Sequence, residues 1–271
     1  MIAITNREYS QLATYIQANY GIYLKEEKKT LISGRLHNVL LQHGFDNFTD
    51  YYNYILSDKT GEAVRTLLNK ITTNHTFFMR EPNHFYYFRD SVLPILEDTL
   101  KDRDLRIWSA GCSSGEEPYT LAMIIDEFLG KKKVWWDTKI LATDISSKVL
   151  DQAIKGIYAN EEIASLPVSW KLDYFKKIDN EKSILVDRIR NEVIYRKFNL
   201  MEKHFPFKRK FQVIFCRNVM IYYDNQTKCD LINKFYESLE YGGYLFIGHS
   251  ETINRDESLF KYIIPSVYRK E

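Results

Sequence analysis

From about residue 105 the chain alternates short apolar runs with amphipathic stretches, and that alternation limits the fold more than any other feature of the sequence. The segments are LRIWSAG, PYTLAMIIDEFLG, KILATDIS, SKVLDQAIKG, VIYRKFNL, FQVIFCRN, NQTKCDLINKFYESLEYGG and YLFIGHS. Runs apolar throughout suit strands buried on both faces, and strands separated by helices have to run parallel. The expectation is an α/β unit whose parallel sheet is covered by helices on both sides. YIIPSVYRK reads as one further strand, with Pro265 at a bulge or an edge.

Residues 1 to about 70 have a different texture, with helical spacing and no strand signals. EYSQLATYIQANYGI puts Leu12, Tyr15, Ile16 and Tyr20 on one side, and Gly21 suits a C-terminal stop. KKTLISGRLHNVLLQHG carries Leu31, Ile32, Leu36, Val39 and Leu40 inward and ends at Gly44, while FTDYYNYIL and EAVRTLLNKI look like two more helices. This predicts a small helical bundle.

A length of 271 residues allows one large domain or two smaller ones, and 45% hydrophobic content allows a sizeable core. Charge excludes more than it suggests. With 38 basic against 36 acidic residues the net charge is +2, and no basic, aromatic tract is present, which argues against a nucleic-acid substrate. The start, MIAITNREYS, lacks the regions of a signal peptide, and no apolar run approaches the roughly 18 residues of a membrane span, so a cytoplasmic protein is expected. Cys112, Cys216 and Cys229 are widely spaced without a CxxC pair, so neither a disulfide framework nor a zinc site is expected. The six histidines, including His75, His84, His204 and His249, read as scattered. No metal is expected.

In an open α/β sheet, ligands sit beyond the carboxyl ends of the strands, and Gly111, Ser113, Ser114 and Gly115 fit such a turn. Glu116 and Glu117 follow, where a pyrophosphate would want no acid. They suit a cationic ligand, or else merely complement a helix dipole. Asp144 ends the next strand, placed either to accept bonds from two ribose hydroxyls or to cap the helix SSKVLDQAI. The Gly111 to Asp144 spacing exceeds the roughly 20 residues of the dinucleotide fingerprint, and a GxGxxG pattern is absent, which counts against NAD. Asn199 ends the third strand, suited to an adenine edge or to a turn. Arg217 and Asn218 end the fourth, and an arginine beyond a buried strand needs a partner.

The motifs WSAGCSSGEEPYTLAM, ATDIS, FNL, VIFCRNVMIYY and GHSE, preceded by TNHTFFMR, resemble the S-adenosylmethionine-dependent chemotaxis receptor methyltransferases, the CheR family. The likeness runs from about residue 5 to the end, and Met79 stands where an aromatic is common. It implies a helical N-terminal receptor-docking domain (1–70), a linker and helix over the cofactor (71–104), and a Rossmann-like methyltransferase domain (105–271) with a small antiparallel β insertion at about 160–192. Within the insertion, LDYFKKIDNEKSILVDRI reads as two short strands around DNEK. In some family members that sheet grips a receptor's C-terminal peptide by strand addition; a purely structural use is the other reading.

The resemblance also implies roles. Asn74, Thr76 and Arg80 would close over the cofactor. Glu117, rather than Glu116, would face its amino group, Asp144 would hold the ribose, Asn199 and Leu200 would border the adenine, and Arg217 and Asn218 would complete the pocket. Tyr222, with Arg80, would serve the reaction. Tyr222 and Tyr223 can also be read as core fillers. The implied activity is transfer of a methyl group to receptor glutamates, giving methyl esters and S-adenosylhomocysteine, by a protein acting as a monomer. A small-molecule O-methyltransferase and a non-catalytic cofactor-binding module are the alternatives. Lys28, Lys29 and Arg35 lie in or beside a helix, and residues 28–45 contain no acid. They read as a solvated face from the sequence alone and as a receptor-docking surface from the resemblance.

Overall fold

Among the described residues ten strands form in the α/β region: Ile107–Ala110 (β1), Ile140–Asp144 (β2), Ile157–Ala159 (β3), Phe175–Lys177 (β4), Lys182–Leu185 (β5), Val193–Lys197 (β6), Phe211–Cys216 (β7), Leu239–Ile247 (β8), Phe260–Ile264 (β9) and Val267–Lys270 (β10). The computed structural model describes residues 2–72, 74–254 and 258–271. Seven strands make one sheet in the order β6-β2-β1-β7-β8-β10-β9. The first five neighbours in that order run parallel, while β10 runs antiparallel to both β8 and β9. The expected single last strand is thus two, because Pro265 and Ser266 turn the chain and Ser266 takes a left-handed φ of 64°.

Alternation along β1 splits the core. Ile107 and Ser109 share a face with Val213 and Phe215, and Phe85, Phe88 and Phe246 stack around Phe215 there. Trp108 faces the other way, ringed by Phe198, Phe205, Phe207, Phe211 and Phe235. Both faces are therefore covered, as a parallel sheet requires.

The expected insertion between the second and third parallel strands is present, with one strand more than its sequence suggested. β3, β5 and β4 form an antiparallel sheet, and DNEK joins the latter two. β3 is three residues long, too short for its alternation to be read. β8 also begins earlier than expected, at Leu239, taking EYGG from the preceding helix. Pairing slips from Phe211 with Leu239 to Val213 with Tyr244, and a Cβ on Gly243 would meet two backbone carbonyls at 2.9 and 3.0 Å.

Helices Asn6–Tyr20 (α1), Lys29–His43 (α2), Phe48–Ser57 (α3) and Glu62–Ile71 (α4) form a second unit, made of residues 2–72 together with Tyr222–Thr227. α1 starts with a capping box between Thr5 and Glu8 and stops at Gly21, φ 68°. Ile32, Leu36, Val39 and Leu40 of α2 are buried, but Leu31, expected inside, is 50% exposed. Ser33 takes the inward position instead, its hydroxyl on the Ile2 carbonyl. Among the described residues no helix is long and apolar enough to cross a membrane.

The α/β unit adds Pro82–Tyr87 (α5), Leu93–Thr99 (α6), Glu116–Leu129 (α7), Ser147–Lys155 (α8), Val168–Tyr174 (α9), Asp187–Arg190 (α10) and the greater part of Asn225–Ser238 (α11). A π turn at Phe88–Val92 joins α5 to α6, next to Pro94, which has no N–H for the usual helical ladder.

Candidate active site

The strand tips are held by packing before any ligand is considered. Gly111 and Gly115 have φ values of 90° and 97°. A Cβ on Gly111 would lie 2.3 Å from the Val219 side chain, and one on Gly115 would lie 2.7 Å from the Tyr195 hydroxyl. Both glycines are thus required by the protein's own interior, which the sequence reading had credited to ligand approach. Between them Ser113 donates its N–H to Asp144 Oδ2 (3.0 Å) and its hydroxyl to the Asn74 carbonyl (3.1 Å), fixing the turn to β2 and to the linker.

The two adjacent glutamates separate cleanly. Glu116 is 2% exposed, accepts from Ser114 Oγ, and is pushed up to about 7 by burial. Glu117 accepts from Ser109 Oγ (2.7 Å) and from Arg217 Nη1 (3.0 Å). Burial raises its pKa despite the attraction of Arg217. Asp144 is also raised by burial, against bonds from the N–H groups of Ser146 and Ser113. Ser146, and not Asp144, caps α8. The acid at the tip of β2 therefore keeps lone pairs for a ligand.

Arg217 is 6% exposed, and its guanidinium lies over the Phe85 ring, 5.0 Å from the centroid. Its partner is a residue the sequence reading did not single out. Glu81 Oε2 accepts from Arg217 Nη2 (3.0 Å), while Glu81 Oε1 accepts from Asn218 Nδ2 and from the His249 N–H, both at 3.2 Å. Arg217 Nη2 also donates to the Arg80 carbonyl. Burial alone would raise the Glu81 pKa, but Arg217 and the bonds from Asn218 and His249 together hold it below the usual value. Glu81 and Glu117 move in opposite directions against one guanidinium because burial weighs more heavily on Glu117, while Glu81 also accepts from Asn218 and His249. Glu81 has a left-handed φ of 56°, and Met79, two residues before it, has 59°.

A second carboxylate passed over in the sequence, Glu251 of GHSE, organises the following loop. Its Oε2 accepts the N–H groups of Asn218 (2.9 Å) and Gly248 (2.6 Å), and its Oε1 that of Ile221 (3.2 Å). Gly248 has to be glycine, since a Cβ there would lie 2.5 Å from Asn218 Nδ2.

The histidines are not all scattered. His84 and His249 rings lie 4.5 Å apart, and ligand-type atoms of Glu81, His84 and His249 fall within 4.8 Å of one another. Both Glu81 oxygens already accept from the Arg217 network, so a metal would have to displace it. His84 is buried with neither ring nitrogen bonded. Burial, then Arg217 and His249, lower it to about 3, so it is neutral.

The remaining predicted residues fall as follows. Asn74 meets the Ser113 turn through its carbonyl, and the side chains of Asn74 and Thr76 make no hydrogen bond among the described residues. Arg80 donates to the His75 carbonyl (2.7 Å) and has no carboxylate partner among the described residues. Asn199 turns the chain, its Oδ1 accepting the Met201 N–H (3.0 Å), and Leu200 is buried. Tyr222 belongs to the helical unit, where its carbonyl accepts the Tyr23 N–H (2.7 Å) and Lys28 Nζ lies 5.7 Å above its ring. Tyr223 follows in the same segment.

S-adenosylmethionine presents an ammonium, a carboxylate, a ribose diol and an adenine, and the chain's groups fit them. Glu117 suits the ammonium and Asp144 the diol, while the Nε of Arg217 is buried without an acceptor and Arg80 lacks an acid. Glu117 in the first turn of the helix after β1 and Asp144 at the tip of β2, on this sheet order, define the class, an S-adenosylmethionine-dependent methyltransferase.

Comparison with known proteins narrows the class. Residues 7–72 match the family model described as CheR methyltransferase, all-alpha domain, and residues 74–268 match CheR methyltransferase, SAM binding domain. A chemotaxis protein methyltransferase of Borreliella burgdorferi is 44% identical, covering 99% of this chain and 96% of that protein. A probable one from Rhizobium etli is 36% identical over 94% of this chain and 96% of its own length, and that of Escherichia coli is 34% identical over 98% and 92%. The chain belongs to the CheR methyltransferase family.

Proposed function

We propose that the protein methylates glutamate side-chain carboxylates of methyl-accepting chemotaxis receptors, giving methyl esters. The observation that carries the reading is Arg80. Its backbone touches Arg217 at the acid-lined strand tips, and its guanidinium, without a carboxylate among the described residues, awaits an anion. The relatives' names supply the setting, chemotaxis.

When bound, S-adenosylmethionine supplies an electrophilic methyl group on a sulfonium. The rest falls to the chain. Glu117 and Asp144 would anchor the ammonium and the ribose, Asn199 and Leu200 would border the adenine, and Asn74 and Thr76 would close from the linker. An incoming glutamate, with an ordinary pKa near 4.3, is already an anion at neutral pH and needs no strong base. Holding it in line at roughly 3 to 3.5 Å can supply on the order of 7 to 11 kcal/mol. Arg80 and Tyr222 would orient it; full turnover in Tyr222→Phe would remove that role from Tyr222.

Lys28 and Lys29 would meet the acidic receptor surface, acting in the cytoplasm on the receptors' cytoplasmic domains. Arg35 has a second duty. Its Nη1 donates to the Lys70 and Ile71 carbonyls at the end of α4, so charge reversal there also uncaps a helix. The deciding assay incubates the protein with labelled S-adenosylmethionine and a receptor cytoplasmic fragment. A base-labile methyl ester on the fragment is expected; label that survives base would overturn the glutamate assignment.

A further inference from the structure

Residues 198–210 connect β6 to β7 with neither helix nor strand among the described residues. The connection leaves from the site. Phe198 donates its N–H to the Asp144 carbonyl at 3.0 Å, and the base of a nucleoside is bonded to the ribose that Asp144 would hold, so the residues just after Phe198 are those the base would meet. Asn199 and Leu200 stand there. Their turn is closed locally, by the Met201 N–H on Asn199 Oδ1 and the Glu202 N–H on the Asn199 carbonyl, both at 3.0 Å, and neither bond ties it to the rest of the fold. That tie comes from α11. Lys234 Nζ donates to the Leu200 carbonyl (2.6 Å) and to the Glu202 carbonyl (3.0 Å), and it lies 4.9 Å from the centroid of the Phe205 ring. Phe205 in turn packs against Trp108 of β1 and against Phe235, the residue after Lys234. One ammonium thus gathers the carbonyls on either side of Met201 and a ring anchored in the core. Burial lowers its pKa against the pull of Asp230 and Glu202, as expected of an ammonium that has exchanged water for carbonyls. Ordering so long a side chain costs rotamer entropy that a lysine placed only for solubility would keep.

We infer that Lys234 is a positioning residue for cofactor recognition: through the Leu200 and Glu202 carbonyls it sets the turn that reads the edge of adenine, and so sustains the preference for adenine over other purines. This rests on the reading above that Asn199 and Leu200 border the adenine. A lysine that merely stabilised the fold would, when lost, weaken every nucleoside alike. One that sets the turn costs most where the base edge matches it.

Calorimetry of the full chain with S-adenosylhomocysteine and with S-inosylhomocysteine tests this, since hypoxanthine puts a carbonyl oxygen where adenine has an amine and leaves the ribose and amino-acid parts unchanged. Lys234→Met, which keeps an apolar stem and removes the charge, should weaken the adenosyl ligand about tenfold and the inosyl ligand less than threefold, while Lys234→Arg keeps the wild-type ratio. A ratio of affinities that stays at the wild-type value in Lys234→Met, or that falls as far in Lys234→Arg, would overturn the inference. Should Lys234→Met not melt cooperatively, Lys234→Gln, with two N–H donors on a shorter stem, carries the comparison: its ratio should also fall, and an unchanged one would overturn the inference. A wild type that binds the two ligands equally refutes the adenine reading and the inference with it. A wild type that prefers the adenosyl ligand, with that preference intact in Lys234→Met, refutes the inference alone.

Discussion

Each unit of the molecule buries carboxylates, and Glu8 in the one and Glu116, Glu117 and Asp144 in the other are shifted in opposite directions. Glu8 in the helical unit is 8% exposed and saturated. Its Oε2 accepts the Thr5 N–H and hydroxyl (2.8 Å each), and its Oε1 accepts the Thr49 N–H (2.9 Å) and hydroxyl (3.0 Å). Burial would raise its pKa, but the bonds from Thr5 and Thr49 outweigh that and lower it. In the α/β unit Glu116, Glu117 and Asp144 are raised instead, each with burial as the largest cause. Glu8 is given all the donors its two oxygens can use, while burial outweighs the donors that Glu116, Glu117 and Asp144 receive.

The sharpest break of this contrast is Glu116→Gln. A folded-state pKa near 7 against 4.5 means the protonated form is favoured, so the contribution to stability is full below about 4.5 and lost as pH rises through 7. By pH 8 the loss is about 3 kcal/mol. The variant should therefore be more stable than wild type at pH 8 in urea titrations, with the gap shrinking as pH falls toward 4.5. Equal gaps at both ends would show that Glu116 is not a proton-holding group.

Next comes Asp144→Ala, expected to weaken S-adenosylmethionine binding about 100-fold by calorimetry, because charged hydrogen bonds contribute roughly 1.5–3 kcal/mol each. In wild type the same affinity should fall as pH drops through the raised pKa values of Asp144 and Glu117, since both acids bind as anions. Glu8→Ala should cost about 2 kcal/mol of stability in urea while leaving cofactor affinity unchanged, as it strips both a capping box and the start of α3. Glu8 follows the opposite pH rule from Glu116: its contribution is present above the unfolded value and lost as acid takes the pH down through its lowered pKa. The smallest effect is Lys28→Glu, which should raise KM for a receptor fragment a few-fold without moving cofactor affinity, the surface being exposed.

How much of this could be read in advance depends on sequence separation. Continuous apolar runs placed β1, β2, β6 and β7 and period-3.6 spacing placed α1 to α4, and Asp144 ends β2 while Glu117 stands in the first turn of α7. Arg217 was recognised as needing a partner, but Glu81 lies 136 residues away in REPNHF, where an acid before proline looks like an ordinary helix start. His84 and His249 are farther apart still, and only strand order brings them together. Leu31 failed for another reason: the inward stripe of α2 runs through Ile32 and Ser33 rather than 31 and 32, and the apolar pattern favours leucine over serine there. Glu116 and Glu117, adjacent in sequence, likewise differ only in three dimensions, where the Arg217 side chain reaches Glu117.

The strand order carries a last consequence, for synthesis. β9 joins the sheet only through β10, which follows it in the chain and sits between it and β8. Until residues 267–270 emerge, a nascent chain holds β8 with one flank bare and β9 with nowhere to dock, both open to pairing with another molecule. Assembly of this sheet thus waits on its latest segment, and shortening the chain by those few residues would strip a strand from within the sheet.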